Sequence, residues 1–338
     1  MKLLVLGGTR FLGRHVAEQA LARGHRVTLL HRGRSGPALF PQAEHRIADR
    51  DGDLSVLSGD EHWDAVIDTS AYMPRQVRAV AERLAGRVGQ YQLVSTISVY
   101  ADPDRAGTDE DAAPMQMLAD TATAAVTGET YGGLKALCEA AARQGFAGRC
   151  LVSRPGLLVG PHDPTERFTW WLRRLARGGE VLAPGDPATP VQFIDARDAA
   201  AWMLLQAERG GEGTCNLTGP AAPLTMGGLL EAARRELAPS ARLEWVGEAF
   251  LLAQGVAPWT DLPLWLPRDE AGMHRVDIRR ALAAGLQCRP LEATLADTAA
   301  WAPPLPADIP EGPPRPPVGL AAEREAALLA AWHAGTAT

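Results

Sequence analysis

An α/β fold built on a doubly wound parallel sheet, with a smaller C-terminal α/β region, is predicted for this chain on three observations. Short aliphatic runs alternate with amphipathic stretches through the first 155 residues, the rhythm of strands joined by crossover helices. Glycines crowd the first junction between such a run and the stretch after it. Beyond about residue 155 the rhythm changes and Pro, Gly and Trp become frequent. Eight of nine tryptophans lie after residue 169, and all four tyrosines lie before 132.

Taken in order, Lys2–Leu6 is a β-branched and aliphatic strand, and Phe11–Arg23 an amphipathic helix. Arg26–Leu30 is a second strand, a run centred on Ile47 a third, and Trp63–Asp68 a fourth. Pro74–Arg87 reads as a helix, because proline fits a first turn where its missing N–H goes unused. Gln90–Thr96 is a fifth strand, Glu129–Gln144 a helix and Arg149–Ser153 a sixth strand. Further helices are expected at about 165–177, 195–208, 225–238 and 277–284. Pro303–Pro317 reads as an extended proline-rich linker, and Ala321–Ala334 as a terminal helix strapped across the surface. The implied organisation is a dinucleotide-binding domain at 1–155, with strand and helix returning to it from about 190–220. A substrate-binding region at 156–302 and the linker with its helix at 303–338 complete it.

Composition narrows the function. The 338 residues carry a formal net charge of −6, with 22% charged and 46% hydrophobic residues, an ordinary globular balance. A mildly acidic chain has no general pull toward nucleic acid or anionic membrane, and no apolar run approaches the ~18 residues of a membrane span. Cys138, Cys150, Cys215 and Cys288 are scattered, which points to free thiols in a reducing compartment and away from zinc. A first strand starting at Lys2 leaves no room for a signal peptide, so a cytoplasmic protein is expected.

The first junction reads Gly7-Gly8-Thr9-Arg10-Phe11-Leu12-Gly13. Glycines there let the backbone turn tightly and approach a pyrophosphate resting on the helix N-terminus, the mark of a Rossmann-type dinucleotide site. NAD sites place an acid at the end of the second strand to hold the ribose 2′-hydroxyl. This chain has His31-Arg32-Gly33-Arg34 instead. Arginines suit a 2′-phosphate, and Arg10 and Arg34 could reach the same group, so NADP is expected over NAD.

Only two lysines occur beside 32 arginines (34 basic residues less two), and one of them, Lys135, lies four positions after Tyr131. A chance Tyr-x-x-x-Lys has odds of roughly 1% in such a chain. On a helix, residues i and i+4 share a face, so the pair reads as an acid–base phenol beside an ammonium.

With the turn, this pair and Val94-Ser-Thr-Ile-Ser-Val-Tyr100 in place, the chain resembles the extended and atypical short-chain dehydrogenase/reductases, also called the NAD-dependent epimerase/dehydratase family. Arg154-Pro-Gly-Leu-Leu-Val-Gly160-Pro, Phe193-Ile-Asp-Ala-Arg-Asp198 and Asp49 extend the likeness over about residues 2–300. The branch it is most similar to includes the plant chloroplast stem-loop-binding proteins, whose turn also looks like Gly-Gly-Thr-Arg-Phe. Two places depart from the family pattern: Arg10 stands for the middle glycine, and Asp68-Thr69-Ser70 for the usual His-x-Ala.

The resemblance implies an acid–base role for Tyr131, a Lys135 that also holds the nicotinamide ribose, and a substrate-polarising Thr96 with Ser95 as the lesser candidate. It further implies cofactor contacts at Gly7, Thr9, Arg10, Phe11, Leu12, Gly13, His31, Arg32, Asp49 and Pro155, and backbone contacts at Thr69 and Ser70. The ammonium and an oxidised nicotinamide are expected to draw the phenol's pKa down toward the working range. In similar proteins the helices at 74–87 and 129–144 form a homodimer surface.

The leading reading is an NADP-dependent oxidoreductase acting on a carbonyl or secondary alcohol of a small molecule. The alternative is a nucleotide-sugar epimerase or dehydratase that uses NAD(P) transiently, with Arg167, Arg173 and Arg268 as a diphosphate clamp. A cofactor-bound RNA-binding or regulatory protein is the third, and the acidic balance weighs against it. His162-Asp163 reads as loop punctuation or a substrate contact. Phe168, Trp170, Trp171, Trp259 and Trp265 read as core, lid or pocket, and Arg173, Arg174 and Arg177 as a solvated basic face. Asp195, Arg197 and Asp198 are expected to cap the following helix and to knit the two domains together.

Overall fold

The computed structural model describes residues 1–36, 38–115, 125–302 and 318–336. The linker read at 303–317 lies outside them. The chain divides into two compact units, Met1–Leu158 with Ile194–Ala221 and Val276–Cys288, and Val159–Phe193 with Ala222–Arg275 and Arg289–Thr338. Residues 276–288, placed by the sequence in the second region, thus belong to the first unit.

In the first unit, seven strands make one sheet: β1 (Lys2–Leu6), β2 (Arg26–His31), β3 (Glu44–Ile47), β4 (Trp63–Asp68), β5 (Val88–Val94), β6 (Cys150–Pro155) and β7 (Gly213–Leu217). Their spatial order is β7-β6-β5-β4-β1-β2-β3, and every pairing is parallel. Alternating side chains bury both faces, as parallel sheets require. Leu3 and Val5 join one apolar cluster, while Leu4 and Leu6 join the other. Helices α1 (Phe11–Ala22) and α4 (Ala196–Arg209) pack together, as do α2 (Pro74–Arg83) and α3 (Gly128–Gly145). Each leucine sealed this way contributes roughly 1.5–3 kcal/mol over an exposed one.

Local chemistry sets the ends. Thr127 and Thr130 exchange side-chain and backbone bonds, 3.2 Å and 2.9 Å, so α3 starts on a reciprocal cap. Asp195 caps α4 by accepting the Arg197 N–H at 2.9 Å. Helix α2 stops at Arg83 rather than Arg87, because the Arg87 N–H turns back to the Leu84 carbonyl and its guanidinium reaches Leu57 O at 2.8 Å. Strand β5 ends at Val94, so Ser95 and Thr96 lie beyond it and not within it.

In the second unit, Glu180–Pro184 and Arg242–Val246 pair in parallel. Helices Arg167–Ala176, Met226–Leu237 and Leu291–Trp301 pack on one another. Phe168, Trp171 and Trp265 are fully buried, so these aromatics are core and not a substrate pocket. The terminal helix Ala322–Thr336 belongs to this unit, mostly exposed along its length and seated by buried Glu325, Leu328 and Leu329. Its Glu325 is buried against the Arg174 guanidinium and accepts the Leu182 N–H at 3.1 Å. That partnership also removes Arg174 from the expected solvated face.

Buried His274 is held neutral between the Gln192 N–H, 3.1 Å from Nδ1, and the Leu264 carbonyl, 3.0 Å from Nε2. Burial pushes its pKa down to about 4. The unfolded imidazole, with a pKa near 6.5, therefore binds a proton that the folded one refuses. Stability from this group is complete above about pH 6.5 and is lost as pH falls toward 4. The loss amounts to about 3 kcal/mol at most. Melting curves of the wild type and His274→Gln over this range are expected to converge as pH falls.

Candidate active site

The predicted residues gather at the carboxyl edge of the first unit's sheet, the edge at which open α/β sheets bind ligands. Gly7 follows β1 with φ +97°, and its N–H bonds the Leu30 carbonyl at 2.9 Å. A side chain at Gly7 would meet Ser70 Cβ at 2.9 Å, and one at Gly13 would meet the Gly7 carbonyl at 2.6 Å. Both glycines are therefore required by close approach of the turn, helix α1 and the loop after β4. Thr9 is buried, with its N–H on Gly7 O at 2.8 Å, and Leu12 is buried in the core. Arg10 is exposed at the N-cap of α1 and supplies no side-chain cap, and the first turn holds no acid. The first N–H groups of a twelve-residue helix are thus left for an anion, and a dinucleotide pyrophosphate fits them.

The end of β2 is held by bonds from its own side chains. His31 is buried, with Nε2 on His45 Nδ1 at 2.8 Å and Nδ1 accepting the Gly33 N–H at 3.1 Å. Both ring nitrogens are spent on shaping the turn, so His31 has none left for a ribose. Arg32 and Arg34 are exposed, and neither they nor Arg10 enter an ion pair among the described residues. Asp49 is also exposed and accepts the Asp51 N–H at 3.1 Å.

Its neighbour Arg50, which the sequence reading passed over, plunges inward. Its two terminal nitrogens each donate to Asp68 at 2.6 Å, and one also reaches Ser70 Oγ at 3.2 Å. Asp68 is completely buried and accepts the Tyr91 hydroxyl at 2.6 Å and the Ser70 N–H at 3.1 Å. Burial opposes both charges, but the adjacent guanidinium holds the Asp68 carboxyl below its ordinary range, and Asp68 holds Arg50 above its own. Thr69 is anchored by its hydroxyl to Leu6 O at 2.9 Å. The loop after β4 is therefore fixed from below, where the family's His-x-Ala would otherwise stand.

Lys135 is buried in α3 and donates to Ala71 O at 2.6 Å and Val94 O at 2.7 Å. Desolvation lowers its pKa. Tyr131 lies one turn earlier on the same helix, and Thr96 is close enough to its phenol to pull its pKa down. The chain's own groups push the phenol up to about 12, first by burial and then by the neighbouring Tyr72, with Thr96 pulling the other way. The ammonium is committed to carbonyls instead. The Ser95 hydroxyl donates to Glu139 at 2.6 Å, while the Thr96 hydroxyl donates to Ser98 Oγ at 3.2 Å and accepts the Ser98 N–H at 3.1 Å. Glu139 is in turn gripped by Arg154, with bonds of 2.9 and 2.7 Å, just before the buried Pro155 at the end of β6. The pairs Arg50–Asp68 and Arg154–Glu139 are invisible to local pattern, since their partners are 18 and 15 residues apart.

In the second unit, Asp163 is buried and accepts Thr165 N–H and Oγ–H at 2.7 and 3.0 Å, the loop role expected of it. Arg173 pairs with Glu166 at 3.1 Å, Arg167 lies 5.4 Å over the Trp259 ring, and Arg268 is exposed.

The model of the NAD dependent epimerase/dehydratase family matches residues 3–217, which span the sheet, the turn and α3. The chain belongs to that family. A curated relative is the chloroplast stem-loop binding protein of 41 kDa b from Arabidopsis thaliana, 30% identical over 118 residues. That match covers 30% of this chain and only 31% of the relative. Among solved structures, UDP-glucuronic acid 4-epimerase from Bacillus cereus in complex with NAD superposes with a TM-score of 0.65 at 16% identity. It covers 89% of this chain and 96% of its own. UDP-glucose 4-epimerase from Thermotoga maritima with UDP-glucose gives 0.64 at 18% identity, covering 89% and 98%. At such identities these structures speak for the family's fold. No helix among the described residues is long and apolar enough to cross a membrane.

Proposed function

We propose that this chain is a nicotinamide-dinucleotide-dependent enzyme of the epimerase/dehydratase type, acting at a hydroxyl-bearing carbon of a small molecule and keeping its cofactor through the cycle. The observation that carries the reading is the joining of Thr96, Tyr131 and Lys135 at the sheet's carboxyl edge, in the unit that also holds the glycine turn. Family membership favours this over the net oxidoreductase expected from sequence alone.

A dinucleotide bound there supplies a hydride acceptor and, when oxidised, a positive charge that favours phenolate. Gly7, Gly13 and the start of α1 would hold its pyrophosphate. An ammonium has three donors; Lys135 spends two on carbonyls and keeps one for a ribose hydroxyl. Thr96 donates to the substrate oxygen and orients it. Tyr131 rests as the phenol and exchanges the substrate's proton at its oxygen. Arg10, Arg32 and Arg34, which enter no ion pair among the described residues, favour a 2′-phosphate, hence NADP. A lower dissociation constant for NADPH than for NADH is the expected result, and the reverse order sinks that choice alone.

The deciding experiment supplies oxidised cofactor with UDP-glucose, UDP-glucuronic acid and UDP-N-acetylglucosamine, reading product by NMR and absorbance at 340 nm. A changed sugar with no net absorbance gain supports the proposal. Stoichiometric consumption of NADPH with a ketone would move the chain to the oxidoreductase reading.

A further inference from the structure

His31 closes β2, His45 lies on the adjoining β3, and their rings meet at 2.8 Å, Nε2 to Nδ1. The two ends of this contact fix its hydrogens. The Gly33 N–H points at His31 Nδ1 from 3.1 Å, so that nitrogen is bare and the ring carries its hydrogen on Nε2. That hydrogen goes to His45 Nδ1, which leaves His45 its own on Nε2, aimed at the Phe40 carbonyl 3.2 Å away. One arrangement of two neutral rings satisfies all three contacts. A third hydrogen spoils it wherever it lands. On His31 Nδ1 it faces the Gly33 N–H, and on His45 Nδ1 it faces the His31 Nε2–H.

The segment held in this way is special. Gly33, at φ +75°, sits between the exposed Arg32 and Arg34. Phe40 is kept at φ +58°, a left-handed conformation that bulky side chains avoid. No carboxylate among the described residues pairs with either ring. On β3, Glu44 and Arg46 pair with each other at 2.8 Å, and on β1 Lys2 is tied to Glu61. Helix α1, packed on β2, brings Arg10, Arg14 and His15, the last 3.7 Å from Glu18.

We propose that His31 and His45 form a proton-sensitive latch, which positions Arg32 and Arg34 for the dinucleotide while both rings are neutral and releases them in acid. The inference rests on the reading of the glycine turn as a dinucleotide seat. Both histidines act through the turn and are positioning residues. Burial, and then the charge of His45, holds the His31 pKa below its ordinary 6.5. With the turn open the ring recovers that ordinary value, so the open form binds a proton that the closed form refuses. The latch is therefore at full strength above about pH 6.5 and weakens as pH falls below it, by at most about tenfold per unit for one proton. Charge alone acts in the opposite sense, because imidazolium beside a 2′-phosphate tightens binding.

The test uses the full chain with nitrogen-15 in its histidines. Long-range nitrogen–proton NMR at neutral pH is expected to show both rings neutral, each with its hydrogen on Nε2. The NADP+ dissociation constant, read by calorimetry, is compared between about pH 7.5 and 5.5 in wild type and in His31→Asn with His45→Gln. The double variant keeps an acceptor for the Gly33 N–H, the replaced groups no longer titrate, and the ligand's own phosphate titration is common to both proteins. Wild type is expected to weaken about threefold to tenfold more than the variant on acidification. Equal pH dependence in the two proteins, or tighter binding in acid by wild type alone, overturns the latch. So does a His31 hydrogen on Nδ1, a result that needs neither ligand nor a folded variant. Wild type that binds no NADP+ at any pH overturns the dinucleotide reading and the latch's role together, and the ring hydrogens tell that failure from the others.

Discussion

Tyr131→Phe is expected to lower turnover by about 10²–10⁴-fold, the usual contribution of a positioned acid–base group, while dinucleotide affinity stays nearly unchanged. The phenol rests on α3, and its ring remains in the variant, still beside Tyr72. Only the oxygen that carries the proton is lost. Equilibrium titration with the cofactor and single-turnover kinetics separate the two effects. A variant that turns over at the wild-type rate would dismiss Tyr131 from the chemistry. Thr96→Val is the natural companion, with Ser95 left in its bond to Glu139.

The largest loss of stability is expected from Asp68→Ala, about 3–5 kcal/mol, because it strands a buried guanidinium. Arg50 would face the emptied space with its two short bonds gone, and the Tyr91 hydroxyl and Ser70 N–H would lose their acceptor too. Replacing both members, Arg50→Met with Asp68→Leu, is expected to recover much of the loss, since an apolar pair leaves no charge uncompensated. Urea unfolding measures both. A single Asp68→Ala variant within about 1 kcal/mol of wild type would contradict the buried pairing.

Periodicity and glycine chemistry are short-range signals, and what they govern was readable. The six strands and the turn follow from runs of a few residues, and Tyr131 with Lys135 follows from helical spacing. The rest depends on partners distant in sequence. Nothing near Arg50 announces Asp68, and nothing near Glu180–Pro184 announces its pairing with Arg242–Val246. The place of His31 at the end of β2 is a ligand position by pattern, and the hydrogen bond from its ring to His45 on the adjoining strand has no signal in the local sequence. In the tryptophan-rich stretch, core or lid is the commoner role and a pocket the rarer one, and packing makes Trp171 and Trp265 core.

The scarcity of lysine has a practical side. Lys2 is tied to Glu61 and sits 5.0 Å from the centre of the Trp63 ring, while Lys135 is roofed by two carbonyls. Beyond the Met1 amine and the partly open Lys2, amine-directed acylating reagents have only the buried Lys135 to attack. Modification of Lys135 becomes a gauge of how often the cleft opens, and protection by added nucleotide a direct readout of its occupancy.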